Sequence, residues 1–146
     1  MIGLALLLFA TVSAIAVLHA SWGLGNHWPA ANAERLAKAA VGTPSVNRMP
    51  SPAQCFAVAA ILTGVASWPL FAVGLLVEAW PRWLTLFAGA GIAAVFLGRG
   101  VAGFTSAWRS RFPEEPFATY DRRYYSPLCL ALGAGYVAIL IAGTNS

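Results

Sequence analysis

Charge is what this sequence has least of. Nine basic and five acidic residues are all that 146 positions carry, 10% of the chain against roughly a quarter in a typical soluble domain. Because 59% of the residues are apolar, a water-soluble fold of this size would have too little polar residue to cover its surface. An ordinary soluble globule is excluded and lipid is the expected solvent. Cysteine and histidine are scarce too. Cys55 and Cys129 form no CxxC pair, which argues against a thiol oxidoreductase. His19 and His27 would stand about 12 Å apart on a continuous helix, too far to serve as two axial ligands of one haem in a single chain. Two Cys and two His lack the spacing of a tetrahedral site, so neither a metal nor a cofactor is expected.

The few charges are unevenly placed. The stretches 2–24, 53–77 and 127–143 have none, and 83–104 has only Arg99. Each stretch is near the roughly 20 residues that a helix needs to cross the hydrocarbon core, the last being shortest. Runs such as Leu4-Ala5-Leu6-Leu7-Leu8-Phe9 are apolar on every face, unlike the alternation of a β-barrel strand. The fold expected is all-α, a single four-helix transmembrane domain over 1–146. The first stretch is expected to be a retained helix: it opens without Lys or Arg, is longer than a signal's apolar run, and has a bulky Leu18 before the cut that Ala20 would offer.

Orientation comes from the loops. Segment 25–52 carries Arg35, Lys38 and Arg48, and segment 105–126 carries Arg109, Arg111, Arg122 and Arg123, whereas the opposite side has only Arg82 in the turn Glu78-Ala79-Trp80-Pro81-Arg82. The positive-inside rule makes both long loops cytoplasmic and both termini external, in a multi-pass inner-membrane protein. The net charge of +4 then reflects topology and membrane lipid, with no nucleic-acid partner. Both loops are expected to rest on the membrane. Residues 32–41 read as a short surface helix capped by Asn32 and closed by Gly42, 43–52 as irregular, and the prolines of Phe112-Pro113-Glu114-Glu115-Pro116-Phe117 forbid a continuous helix there.

Glu34, Glu78, Glu114, Glu115 and Asp121 all read as loop residues, which disfavours a proton-coupled transporter with its acidic group inside the membrane. His19 with Trp22, Gly23 and Asn26 forms a helical stripe at the cytoplasmic end of the first span. Arg99 is placed near the same depth, its stem reaching toward the headgroups. Tyr120-Asp121-Arg122-Arg123-Tyr124-Tyr125-Ser126-Pro127 is the densest polar run, with Ser126 and Pro127 expected to start the fourth helix. Gly98-Arg99-Gly100 and Gly103 read as close helix packing rather than a nucleotide loop, and Gly89-Ala90-Gly91 as a face that would permit oligomers. Trp68-Pro69 should kink the second span by removing the bond to the Val65 carbonyl, which makes Trp68 a secondary candidate at a polar pocket.

His19-Ala20-Ser21-Trp22-Gly23-Leu24-Gly25 and Tyr125-Ser126-Pro127-Leu128-Cys129-Leu130 resemble the motifs of a bacterial family of small four-span membrane proteins known as a domain of unknown function. The resemblance covers nearly the whole chain and implies four helices; it assigns no activity. The candidate site is a polar cluster of His19, Trp22, Asn26, Arg99, Tyr124 and Tyr125, with Cys55 and Cys129 nearby. The leading expectation is a non-enzymatic protein whose cluster takes a lipid headgroup, a small anion or a partner subunit. The alternatives are a membrane-embedded redox or lipid-modifying enzyme using His19, and a small oligomeric transporter or channel.

Overall fold

The computed structural model describes residues 1–77 and 81–144; the turn read at Glu78-Ala79-Trp80 lies outside the described residues. Seven α-helices and one π-helical turn account for the regular structure, with no strand among the described residues. They are α1 (Ile2–Gly23), α2 (Ala33–Ala40), α3 (Pro52–Ala72), α4 (Arg82–Ala102), α5 (Ser106–Arg111), α6 (Phe117–Tyr120), the π turn (Asp121–Tyr125) and α7 (Ser126–Thr144). Four apolar helical segments, α1, α3, α4 and the continuous Phe117–Gly143, are long enough to cross a membrane.

Local chemistry sets the ends. Ser51 and Gln54 close a capping box on α3, with Pro52 in the first turn where its missing N–H costs nothing. At the other end Gly74 adopts φ +74. Its N–H donates to the Phe71 carbonyl and that of Leu75 to Leu70, a Schellman closure. The second span therefore stops at Ala72 and not at residue 77: Leu75, Leu76 and Val77 are apolar but follow the stop. Asn32 caps α2 through the Arg35 N–H, and Gly42 turns the chain out at φ +74, as the sequence indicates. The fourth span departs most from expectation. Its helix begins at Phe117, passes Ser126 and Pro127, and includes the π turn. In that turn the Ser126 N–H donates to the Asp121 carbonyl, five residues back. The wider turn carries the helix into Pro127, which has no N–H to donate.

Helix α1 packs along α3, and α4 along α7, so each long connection joins the two members of a pair. Small residues let the second pair approach closely. A side chain at Gly100 would strike Leu130, and one at Gly133 would strike Leu97, so each leucine lies over the other helix's glycine. Gly98, by contrast, faces open space. The pairs meet around Trp68, Tyr136 and Phe96, with both ring pairs through Tyr136 at 5.6 Å. Trp68 is buried over Gly89, where a side chain would strike its indole, and its Nε1–H donates to the Thr85 carbonyl at 2.8 Å. Gly89 is thus an internal packing position, while Gly91 faces open space. Pro69 leaves the Val65 carbonyl without its helical donor, and the Tyr136 hydroxyl donates to it at 2.8 Å. The predicted gap in the α3 ladder is filled from α7 rather than left as a polar pocket.

At the end away from the long connections, Arg82 donates to the Gly143 carbonyl near the C-terminus of α7, where a cation complements the helix dipole. At the other end the two long connections bind each other. The Glu114 N–H donates to the Gly42 carbonyl at 3.3 Å, and the Ser45 N–H to Glu114 Oε2 at 3.1 Å. The Phe117 ring occupies the space a side chain at Gly42 would need. Leu36 and Ala37, the apolar face of α2, are buried within the protein and so are not available to dip into a bilayer. The exposed face carries Glu34 and Lys38, paired at 2.9 Å. Beside the Lys38 ammonium the Glu34 carboxyl falls below its usual range, and Lys38 rises correspondingly.

Candidate site at the loop end of the bundle

The residues expected to form one polar cluster divide into two centres. The first belongs to the α4–α7 pair. Arg99 forms an ion pair with Asp121, donates from Nη1 to Ser126 Oγ at 3.3 Å, and lies 4.2 Å over the Trp108 ring. Trp108 comes from α5, a helix the sequence reading did not foresee, and its Nε1–H donates to Asp121 Oδ2 at 3.1 Å. Gly103 makes the arrangement sterically feasible, because a side chain there would overlap Ser126 and Asp121. Asp121 is only 3% exposed. It is therefore a carboxylate inside the fourth apolar helical segment and not a loop residue, and that premise against proton-coupled transport falls away. Arg99 does not extend past the protein surface to a headgroup; its guanidinium is taken by a carboxylate, a hydroxyl and an indole. The reason is the π turn, which brings Asp121 and Ser126 to face α4 where a helix starting at Ser126 would have left Asp121 in the loop.

The second centre lies on the α1–α3 pair. The His19 Nδ1–H donates to the Ile15 carbonyl at 2.8 Å, one turn back on α1, so in the neutral ring Nε2 carries the lone pair. The ring packs on Trp22 at 4.8 Å. Trp22 is steered by its Nε1–H, which donates to the Trp28 carbonyl at 2.8 Å, while Asn26 Oδ1 accepts from the Trp28 N–H at 2.9 Å. Asn26 thus shapes the turn that holds Trp22. His19 and Trp22 line an open cleft of about 410 Å³ with Gln54, Cys55, Ala57 and Val58 of α3, Met49 and Pro50 before it, and Ala40 and Val41 at the end of α2. Its volume is within the range of small-molecule sites. The Cys55 thiol is buried and points its weak donor at the Pro50 carbonyl, 3.9 Å away. Gln54 Oε1 is used by the capping box, accepting from the Ser51 N–H and hydroxyl, which leaves its NH₂ as the outward donor.

The two tyrosines part company. Tyr125 sends its hydroxyl to the Ala39 carbonyl at 3.1 Å and packs against Phe117, fastening α2 to the fourth helix. Tyr124 is half exposed beside Arg123. His27 and Trp28 are exposed at the α1 exit. Cys129, one turn beyond Tyr125 on α7, does not line the cleft that holds Cys55, and neither does Trp68. Both cysteines are free. Among the described residues no three His, Cys, Asp or Glu side chains converge.

Sequence reasoning passed over Asp121 as a site residue, together with Trp108, Ser126 and Gln54. Gln54 did leave a signal: it is the one amide in an apolar stretch, three residues after a capping serine. No periodicity announces a π turn, so the inward facing of Asp121 had none.

The chain belongs to the family described as Protein of unknown function (DUF3995), whose model matches residues 12–136. That span holds all of α2 to α6, most of α1 including His19, and α7 as far as Tyr136. No curated protein matches the chain. No solved structure matches it either.

Proposed function

We propose that this multi-pass membrane protein is a non-enzymatic binder of a small membrane-borne amphiphile, held in the His19 cleft at the loop end of the bundle. The observation that carries the reading is the cleft itself: about 410 Å³, walled by Val41, Pro50, Val58 and Met49, with polar side chains from His19, Trp22, Gln54 and Cys55. Apolar walls with a few polar groups suit a molecule that is mostly hydrocarbon and has one polar end. A headgroup site centred on Arg99 is less well supported, since Asp121 already balances that charge. The seven loop cations support placing the cleft at the cytoplasmic face of a bacterial inner membrane, within reach of lipid from that leaflet.

Native mass spectrometry of the protein released from its own membranes tests this. The wild type is expected to carry a discrete lipid-sized adduct, and Val58→Trp, which fills the cleft from a partly exposed position, to lose it while remaining folded. Equal adducts on both proteins, or none on the wild type, would refute the reading. An adduct converted to a new mass during incubation would instead favour a lipid-modifying enzyme with His19 as its base.

A further inference from the structure

The loop end of the bundle carries a second surface that the cleft does not use. Among the described residues every carboxylate is engaged within the protein. Glu34 pairs with Lys38 and Asp121 with Arg99, Glu114 accepts from the Ser45 N–H, and Glu115 accepts from the Thr119 N–H and hydroxyl at 3.2 and 3.1 Å. Arg109, Arg111, Arg122 and Arg123 are exposed, and among the described residues none of them has a carboxylate partner. The first two belong to α5 and the others to the π turn. One bond joins those segments, from Trp108 Nε1–H to Asp121 Oδ2 at 3.1 Å. Arg109 and Arg122 are the next residues after that bonded pair, so like charge gathers where α5 meets the π turn. Such a face is relieved by counter-charge brought from outside the protein.

The fourth helix sets the depth of this face. Its apolar segment runs without a break from Phe117 to Gly143, so Arg122 and Arg123 stand on the flank of a membrane helix, about one and a half turns in from its start, and not in the loop before it. Apolar groups adjoin them. Tyr124 is 52% exposed with the Arg123 guanidinium 5.6 Å from its ring centre, and Phe104 and Leu128 are exposed as well. Cations bordered by rings and an aliphatic side chain suit a molecule whose anionic end continues into hydrocarbon. A soluble polyanion would meet the arginines and leave the apolar border uncovered. Phosphatidylethanolamine offers the same phosphate, but its ammonium brings a like charge to the arginines. Independently of the cleft, we propose that the face formed by α5 and the π turn binds phospholipid of net negative headgroup, of the phosphatidylglycerol kind, from the adjoining leaflet.

The test is binding of a phosphatidylglycerol and a phosphatidylethanolamine of equal chain length to the delipidated full chain in detergent, read by native mass spectrometry. Phosphatidylglycerol is expected to bind at least about fivefold more tightly, the order of one basic side chain beside an anionic surface. In Arg111→Gln/Arg122→Gln/Arg123→Gln the preference should fall below about twofold with helix content unchanged; Arg109 is left in place because it also donates to the Phe104 carbonyl. The same three positions changed to Lys keep the charge and should keep the preference. Arg35→Gln/Arg48→Gln, which removes exposed cations of the first connection, and Val58→Trp, which fills the cleft, should keep it too. Equal binding of the two lipids by the wild type, or a preference that survives the triple Gln variant, would overturn the proposal. Loss of the preference in Arg35→Gln/Arg48→Gln would tie it to net charge and not to this face, and its loss in Val58→Trp would assign the lipid to the cleft; either result overturns the proposal as well.

Discussion

Pro69 takes one hydrogen bond out of α3, and Tyr136, 71 positions from the affected carbonyl, puts one back. That exchange makes a double-mutant prediction. Tyr136→Phe should cost about 1–2 kcal/mol, because it leaves the Val65 carbonyl unpaired in an apolar core. In a Pro69→Ala background, where residue 69 again offers an N–H, the same substitution should cost markedly less. Thermal unfolding of the four proteins in one detergent measures the coupling. Arg99 and Asp121 behave in the opposite way, since each is harmful without the other. Arg99→Met should destabilise by about 3–5 kcal/mol by stranding a buried carboxylate, and adding Asp121→Leu should recover most of the loss. Equal unfolding midpoints for Arg99→Met and wild type would show that the pair is not buried in solution. At this scale the sequence was partly legible. The orphaned Val65 carbonyl follows from Pro69 alone, but its partner depends on which helix packs beside α3. His19 and Trp22 were visible as one face of α1; Arg99 was visible as an isolated charge, but its partner was hidden by the π turn.

Helix number was readable from charge placement because a bilayer sets a minimum apolar length and the fourteen charges leave just four such runs. Helix ends were read correctly where a side chain or glycine makes them, as at Asn32 and Gly42. They were misread where hydrophobicity and backbone geometry disagree: at Gly74, which stops α3 ahead of three apolar residues, and at Pro127, which the helix passes. The connections show how α2 can matter to function. Its end, Ala40 and Val41, walls the cleft, and it is held there by Glu114 and Tyr125, from outside the α1–α3 pair, which bond Gly42, Ser45 and Ala39. Gly42→Ala forces a side chain into the Phe117 ring at φ +74 and should loosen this docking. Amide exchange across Ala33–Ala40 is expected to speed up while α1, α3, α4 and α7 keep their protection, with weaker retention of any bound amphiphile. Unchanged exchange in α2 would mean that the docking does not depend on this turn.

For the whole molecule, two helix pairs share one aromatic core and are tied a second time by their interlocked connections, so the cleft of one pair is bounded partly by contacts made to the other. The distribution of charge that excludes a soluble fold also predicts how the bundle lies in the membrane. With Cys55 and Cys129 replaced by Ala, Val77→Cys, 91% exposed in the short connection, should react with a membrane-impermeant maleimide in intact cells, whereas Asn47→Cys and Ser110→Cys should react only after the membrane is opened. The reverse pattern would invert the topology and move the cleft to the outer face. Photolabelling in membranes with a diazirine-bearing single-chain lipid, followed by peptide mapping, tests the central claim most directly. Label concentrated on peptides containing residues 19–22, 40–41 and 49–58, and lost in Val58→Trp, is the predicted result. Label spread evenly over the outward faces of the four long helices, and indifferent to Val58→Trp, would contradict it.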